Sequence, residues 1–549
     1  MMDLRKPGAA LLLFAFATLY VFAQSESKAK PQSTDSLVPG LGTLHHRVTT
    51  DNSQAQAFFD QGLRLLYAFN HQDAGRSFRR ATELDPQCAM AWWGVALATG
   101  PNYNDIDIGN ERSKAAYEAI QKARALESGV SAAERAYIEA LAQRFSSNPK
   151  AGQQKLFENY RDAMAQVAKQ YPEDADAGAL YAESIMDIRP WQLWSADGKP
   201  APGTEELVRE LQAVLAQHPD HPGANHFYIH AVEASLHPEL ALASADRLAN
   251  LAPSAGHLVH MPSHIYVRVG DYPNAVLSNQ KAATADEAYI HSYHPTGTYP
   301  AMYYSHNLHF LAFATTMEGN SKTALDATTR LEANIAPHLK EMPPMEWFNI
   351  TRMVISVRFA KWQEIAKIPQ PETRLRLTTM AWHFARGMAY AAQGQTAKAE
   401  AERKAMAKLL AAIPPDEPFG FNRVHEVMGV GLAMLDGKIA SSRHHYRAAV
   451  AALEKAVKIY DALRYDEPPD WYLPPREQLG AVLLAARKPA EAEALFRADL
   501  RQNPKNGRSL FGLAEALKAQ GKLSDAADAT SQFQASWKNA DVQLRIEDL

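Results

Sequence analysis

The sequence predicts an all-α fold, built from successive helical hairpins rather than around one compact core. Alanine-rich stretches of helical length alternate with short turns of Gly, Pro and Asn. No stretch shows a convincing period of two between polar and apolar residues, which a half-buried strand would show. At 549 residues the chain is also too long for one core of ordinary size, so it must form several domains or a repeat array.

A recurring set of small and aromatic residues favours the repeat array. Near the start of the chain, Gly62, Ala74 and Ala81 accompany Phe78, and Pro86 follows. Small residues let two helices approach closely, and the aromatic side chain fills the gap between neighbouring hairpins. The same offsets recur at Ser263, Tyr266, Gly270, Ala275 and Ala282, then at Gly387, Tyr390, Gly394 and Ala399, and finally at Gly480, Ala492, Phe496, Pro504, Ala514 and Ala526.

With this pattern the chain resembles the tetratricopeptide repeat (TPR) superfamily over most of its length. The resemblance implies a right-handed α-solenoid whose concave groove binds peptides and partner proteins. More narrowly, the chain looks like a group of large exported bacterial proteins with strings close to WWGVALATGPNYN, NHFYIHAVEAS, HMPSHIYVRVGDY and EPPDWY. That narrower resemblance implies architecture and location but no reaction.

The first residues predict a cleaved signal peptide at 1–23. Two basic residues precede an apolar run from Ala9 to Ala23, and small residues occupy the positions that a signal peptidase reads. The alternative is an uncleaved anchor, although the run is short for a span of about 20 residues. Residues 24–50 are polar and rich in Pro, Ser and Lys, and are predicted to form a flexible leader. We therefore expect an exported protein, periplasmic or secreted.

The rest of the chain divides into four predicted units: N-terminal TPR-like hairpins at 51–218, histidine-rich repeats at 219–335, middle hairpins at 336–465 and C-terminal repeats at 466–549. Insertions interrupt the array at 188–203, 283–300 and 467–475. Long loops on a solenoid usually gather on one side and often cover a site. The sequence leaves open whether the first two do so.

The composition argues against a nucleic-acid partner and against stabilisation by internal disulfide bonds. Lys and Arg number 57 against 61 Asp and Glu, without a basic stripe, so we expect no nucleic-acid partner. A single cysteine, Cys88, cannot form an internal disulfide, so a large helical core must replace such bonds. After the signal no segment is apolar enough to cross a bilayer.

Histidines are concentrated in one stretch of the chain. Residues 218–309 contain 12 of the 20 histidines in 92 of 549 residues. His226 and His230 lie four apart, as do His260 and His264, and the second pair follows the first by 34 residues. Because 34 is the TPR period, two neighbouring repeats should carry the same imidazole pair on the same helical face.

Further residues join these pairs when the repeats are aligned. Imidazoles from packed helices about 8–10 Å apart can reach one ion with bonds of about 2.0–2.1 Å. The predicted metal ligands are His226, His230, His257, His260, His264, His306 and His309. Glu233 follows on the same helical stripe, and Glu183 aligns with His230 and His264. Either glutamate could be a ligand, a catalytic general base or a partner that orients an imidazole.

Nitrogen-rich sites without a thiolate suit copper, iron, zinc or nickel. We expect one or two ions, copper or iron in preference to zinc, in an oxidoreductase that uses dioxygen; zinc would imply hydrolysis by a bound hydroxide. The histidine count matches dinuclear copper centres, although the spacing differs from their usual motif. A small molecule or peptide would be the substrate in the groove. A metal-free peptide- or protein-binding scaffold and a metal carrier without turnover stay open as alternatives.

Overall fold

The computed structural model describes residues 36–148 and 151–549, so the predicted signal peptide lies outside the described residues. Regular structure in these ranges is helical apart from one short antiparallel ribbon, β1 (Pro418–Phe419) with β2 (Asn422–Arg423). The predicted all-α fold is therefore confirmed. Among the described helices, none is both long and apolar enough to span a membrane.

Consecutive helices in the first half of the chain pack against one another as hairpins. They are α1 Ser53–Tyr67, α2 His71–Leu84, α3 Ala89–Thr99, α4 Gly109–Ala125, α5 Ala132–Ala142, α6 Gln153–Gln170, α7 Ala175–Met186, α8 Thr204–Gln217, α9 Pro222–Glu233, α10 Leu242–Leu251, α11 Gly256–His260 and α12 Pro262–Arg268.

The second half continues the same arrangement. Its helices are α13 Tyr272–Tyr293, α14 Tyr304–Glu318, α15 Ser321–Ile335, α16 Ile350–Arg358, α17 Trp362–Ile365, α18 Arg376–Ala392, α19 Thr396–Ala411, α20 Val424–Ser442, α21 Tyr446–Asp461, α22 Pro475–Ala485, α23 Pro489–Gln502, α24 Gly507–Ala519 and α25 Leu523–Ser536. Short 3-10 turns lie at Glu127–Gly129, Pro238–Ala241, Pro343–Asn349 and Ile546–Asp548.

The small-and-aromatic offsets have a direct structural cause. A Cβ atom added at Gly62 or Gly94 would lie 2.6 or 2.3 Å from the ring of Phe78. Far along the chain, a Cβ at Gly480 or Gly512 would lie 2.4 or 2.3 Å from the ring of Phe496. In both places one buried phenylalanine fills the space that two glycines leave on neighbouring helices, which confirms the repeat architecture at both ends.

The described part of the predicted leader packs against the helices. Leu41 and Val48 are buried. The backbone of Val38 donates to Gln61 Oε1 at 2.7 Å, and the backbone of Ser254 donates to the carbonyl of Gly40 at 3.0 Å. Residues 36–50 therefore tie α1 to the turn after α10, where the sequence predicted flexibility.

The insertion at 283–300 is mainly an extension of a helix. Helix α13 runs 22 residues and ends at Tyr293, where His294 takes the left-handed conformation at φ 46°. A π-helical turn at Tyr299–Tyr303 then leads into α14. Such turns are rare and often lie at functional sites, and this one precedes two of the predicted ligands.

Candidate metal centre

Six of the seven predicted ligands form two clusters of three imidazoles. The first trio is His226, His230 and His257, and the second trio is His260, His264 and His306. In each trio one nitrogen from every ring lies within 4.8 Å of the other two. Two atoms bonded to one ion at about 2.0–2.1 Å lie at most about 4.2 Å apart, so small side-chain movements would let either trio share an ion.

Each trio combines a pair on one segment with a third histidine from a later helix. Helix α9 carries His226 and His230, and α11 supplies His257, 27 residues after His230. His260 and His264 lie at the junction of α11 and α12, and α14 supplies His306, 42 residues after His264. The two trios thus follow one plan, and the insertion before α14 accounts for the longer second interval.

The trios adjoin and form one continuous cluster of rings. The ring centroids of His257 and His260 lie 5.8 Å apart, and those of His230 and His264 lie 5.6 Å apart. Contacts of α9 with α12 and of α11 with α14 hold the rings together. Two ions bound in the trios would therefore be neighbours with no other residue between these rings.

In the first trio, hydrogen bonds set the protonation of two rings. His226 Nδ1 lies 2.7 Å from the carbonyl oxygen of Tyr67, and His230 Nδ1 lies 2.7 Å from Glu233 Oε1. Both oxygens are acceptors, so each Nδ1 carries the proton and each Nε2 carries a lone pair. Those two Nε2 atoms are buried without a hydrogen-bond partner, as are both ring nitrogens of His257.

The second trio is arranged in the same way. His264 Nδ1 lies 2.5 Å from Glu233 Oε2, and His260 Nδ1 lies 2.6 Å from Asn279 Oδ1. The Asn279 amide nitrogen donates to the carbonyl of Ala275 at 2.8 Å, which leaves its oxygen to accept from the ring. In the neutral rings both Nε2 atoms then carry lone pairs, and they lie 2.9 Å apart. Ligating histidines in metal sites usually have such Nδ1 partners.

Burial favours the neutral form, which is the form that binds metal, in most of these rings. It lowers the pKa of His226, His257, His260 and His306 well below the ordinary value. Burial alone would raise the pKa of Glu233, but its interactions with His264 and His230 outweigh burial and lower the pKa to about 2. Glu233 is therefore a carboxylate, and both of its oxygens are engaged by imidazoles.

The structure does not place His309 in either trio. Its ring stacks on Tyr472 with centroids 5.2 Å apart, and it meets the Phe348 ring edge-on at 5.1 Å. Its backbone carbonyl accepts the Tyr472 hydroxyl at 3.0 Å. In the alignment of the repeats, His306 shares the position of His257 and lies in the second trio, whereas His309 shares the position of His226 and His260 and packs against these aromatic rings.

Glu183 belongs to a different buried cluster. It lies with Asp187 and Arg144, and Arg144 forms an ion pair with Asp187. Burial, reinforced by the charge of Asp187, raises the pKa of Glu183 to about 8. Its alignment with His230 and His264 reflects the shared repeat position, while its described interactions are with this ionic cluster.

Aromatic side chains enclose the cluster. Phe69 lies 4.4 Å from the His226 ring, and Phe310 lies 4.5 Å from the His264 ring. Trp191, from the insertion at 188–203, lies 5.4 Å from the His230 ring, so this insertion does cover the site. The first trio is fully buried, whereas His306 is partly exposed, which makes the second trio the open side.

Hydrogen bonds through Asn104 connect two of the aromatic side chains that enclose the cluster, Tyr303 and Trp191. Tyr303 lies 4.9 Å from the His257 ring, and its hydroxyl accepts from the Asn104 amide at 3.1 Å. Asn104 Oδ1 accepts from the indole of Trp191, also at 3.1 Å. The loop at 100–104 thereby connects the insertion at 188–203 with the π-helical turn.

Sequence reasoning missed three contributors to the site. The Tyr67 carbonyl lies 159 residues from His226 and the Asn279 amide 19 residues from His260, and neither belongs to the histidine pattern. Glu467 is buried; its Oε1 accepts the Tyr465 hydroxyl, and its Oε2 has no hydrogen-bond partner. Burial raises the pKa of Glu467 to about 7, against the opposing influence of His264. Its place in the EPPDWY string was the available signal.

A further cluster, His46 with Asp174 and Asp176, has a supporting role. Asp176 Oδ1 accepts from the Tyr67 hydroxyl at 2.6 Å and from His221 at 3.0 Å. Its Oδ2 accepts from His46 Nδ1 at 2.7 Å. Since protein donors satisfy these oxygens, the cluster anchors the 36–50 segment and also the residue whose carbonyl orients His226.

Comparisons with known proteins do not identify a family for this chain. Neither a known family nor a curated protein matches the chain. Solved structures that align include a human IFIT1 dimer with m7Gppp-AAAA (14% identity, 89% of this chain and 91% of that one, TM-score 0.32). The APC/C hetero-tetramer Cut9–Hcn1 also aligns, with 12% identity over 90% of this chain and 76% of that one and a TM-score of 0.30. The P58(IPK) TPR domain aligns with 12% identity over 86% of this chain and 99% of that one and a TM-score of 0.23. Such scores carry no argument about family or function.

Proposed function

We propose that this protein is an exported metal-dependent oxidoreductase whose two histidine trios each bind one ion, of copper or iron. The signal-like start supports export. Ligand sets of three neutral imidazoles without a thiolate suit these metals, with zinc as the further possibility. Two adjoining ions can each pass one electron, so together they suit a two-electron oxidation of a substrate by dioxygen.

The facing nitrogens of His260 and His264 carry this proposal. Their Nδ1 atoms are both committed as donors, to Asn279 and to Glu233. When both rings are neutral, no proton remains between the two Nε2 atoms, and at 2.9 Å their lone pairs repel. Two ligand atoms bonded to one ion at about 2.05 Å and an angle near 90° are separated by about 2.9 Å. A shared cation turns this repulsion into coordination.

The first trio supports the same conclusion independently. Three buried rings present nitrogens without a hydrogen-bond partner to one small region. Each buried polar atom left unpaired costs about 1–3 kcal/mol, and a folded chain rarely tolerates several together. An ion bonded to His226, His230 and His257 removes that cost.

Enclosure favours an enzyme over a carrier. A carrier must exchange its ion readily, whereas the first trio lies fully buried behind Phe69 and Trp191. The partly exposed His306 provides the side from which a small molecule or an extended peptide would approach. Glu467, whose Oε2 has no hydrogen-bond partner within the protein, interacts electrostatically with His264 and would accept a proton from the substrate.

Elemental analysis and oxygen uptake test the proposal. Protein purified from its native compartment should contain two transition-metal ions per chain and should consume dioxygen when offered oxidisable small molecules. The double variant His260→Ala/His264→Ala should lose the second ion and the oxygen uptake. His309→Ala is the matched control, because this histidine lies outside both trios, and it should retain both ions. A folded wild-type chain that binds no ion after reconstitution would refute the proposal.

A further inference from the structure

We propose that Glu233 is a positioning residue shared by both trios, which sets the tautomer of one imidazole in each and so makes both pockets able to bind metal. This inference rests on the proposed function, because it concerns how the same centre is assembled. It differs from the roles of ligand and general base, since neither carboxylate oxygen is left free for them.

The geometry is that of one buried carboxylate between two rings. Glu233 is the last residue of α9 and is 1% exposed. Its Oε1 lies 2.7 Å from Nδ1 of His230 in the first trio, and its Oε2 lies 2.5 Å from Nδ1 of His264 in the second. Those two rings lie 5.6 Å apart. One side chain therefore spans the boundary between the pockets.

The consequence follows from imidazole chemistry. A neutral ring has one N–H donor and one lone pair, so the partner of Nδ1 decides whether Nε2 can bind metal. A carboxylate accepts at both oxygens and places the proton on Nδ1 of both rings. Both Nε2 lone pairs then face their pockets.

Glutamine in this position could serve one ring only. Its amide has one oxygen that accepts and one NH2 group that donates. The ring facing the NH2 group must present a lone pair at Nδ1 and carry its proton on Nε2. That ring ceases to be a ligand, so Glu233→Gln should leave one trio with three nitrogens and the other with two.

The neighbouring supports offer a matched comparison. Asn279 accepts from His260 alone, so a change there should affect only the second pocket. Asp499 is a fully buried carboxylate in the C-terminal repeats, hydrogen-bonded by Ser509, Asn506 and Asn503. Asp499→Asn makes the same carboxylate-to-amide change away from the histidines and controls for loss of a buried charge.

The test has two readouts, and the first needs no metal. Nitrogen NMR of histidine-labelled, metal-free wild type should show His230 and His264 protonated at Nδ1. In Glu233→Gln one of the two should be protonated at Nε2, whereas Asp499→Asn should match wild type. Either ring protonated at Nε2 in wild type, or both unchanged in Glu233→Gln, would overturn the inference even if the variant bound metal normally.

The second readout is copper(II) or zinc binding in competition with a chelator. Wild type should bind two ions, and Glu233→Gln should hold one of them about 10–100-fold more weakly. Asp499→Asn should bind both as wild type does. Two ions held at wild-type affinity by Glu233→Gln would overturn the inference and leave the proposed function standing. A wild-type chain that binds no ion, yet shows the expected tautomers, would instead refute the proposed function.

Discussion

Removing the metal should destabilise the fold, and the buried nitrogens indicate by how much. The Nε2 atoms of His226 and His230 and both nitrogens of His257 have no hydrogen-bond partner within the protein. One unpaired atom per ring, at about 1–3 kcal/mol each, gives roughly 3–9 kcal/mol of unfavourable free energy that an ion in the first trio can relieve. The first trio should therefore lose stability when its ion is removed.

The stabilisation that can be measured depends on ligand concentration. An ion at 100 times its dissociation constant stabilises the folded state by about 2.7 kcal/mol for each site. For chains of 150–250 residues, a change of 1 kcal/mol in the free energy of unfolding shifts Tm by about 2–4 °C, and the shift is smaller for longer chains. We therefore expect copper(II) or zinc to raise Tm by about 5 °C, and a chelator to reverse the rise.

Thermal unfolding followed by circular dichroism, with and without chelator, measures this shift. His226→Ala removes one ligand of the first trio and should lose a large part of the rise. His309→Ala changes a histidine that stacks on Tyr472 outside the trios, so its metal-induced rise should equal that of wild type. An equal rise in wild type and His226→Ala, or no rise in wild type, would refute the reasoning.

Three further predictions concern the supports of the site and the repeat core. Asn279→Ala removes the hydrogen-bond partner of His260 Nδ1 and should lower the affinity for one ion by about 10–100-fold, as measured by competition with a chelator. The affinity for the other ion should not change. Burial lowers the pKa of His46, but Asp176 and the other nearby carboxylates outweigh it and raise the pKa to about 9, above the unfolded value of 6.5. The stabilisation from protonated His46 is complete below pH 6.5 and is lost as the pH rises towards 9. The free energies of unfolding in urea of wild type and His46→Ala should therefore differ at pH 6 and converge above pH 9. A difference that does not change with pH would contradict this assignment. Gly512→Ala places a Cβ about where the Phe496 ring lies and should destabilise the chain by about 1–3 kcal/mol in the same assay, and an unchanged midpoint would contradict the close approach.

The fold could be predicted because local patterns record the packing of each hairpin. Phe78 and Phe496 each fill the space left by two glycines, and that contact recurs with the repeat. The pairing of His226 with His230 and of His260 with His264 was likewise visible in the 34-residue period. What the period could not show is which third ring completes each pair.

The rest of the site depends on contacts between distant parts of the chain. His257 and His306 complete the trios because α11 and α14 return beside the paired histidines. The Tyr67 carbonyl lies 159 residues from His226, and no residue pattern encodes a backbone acceptor. His309 shows the converse: it shares a repeat position with His226 and His260, but its ring packs against Tyr472 and Phe348 outside both trios.

Anomalous X-ray diffraction from metal-loaded crystals, recorded at the copper or iron edge, tests the central claim most directly. We expect two ions, one about 2.0–2.1 Å from nitrogens of His226, His230 and His257, and one at the same distance from nitrogens of His260, His264 and His306. A single peak elsewhere, for instance at His46 and Asp174, or no peak in crystals grown with the metal, would contradict it.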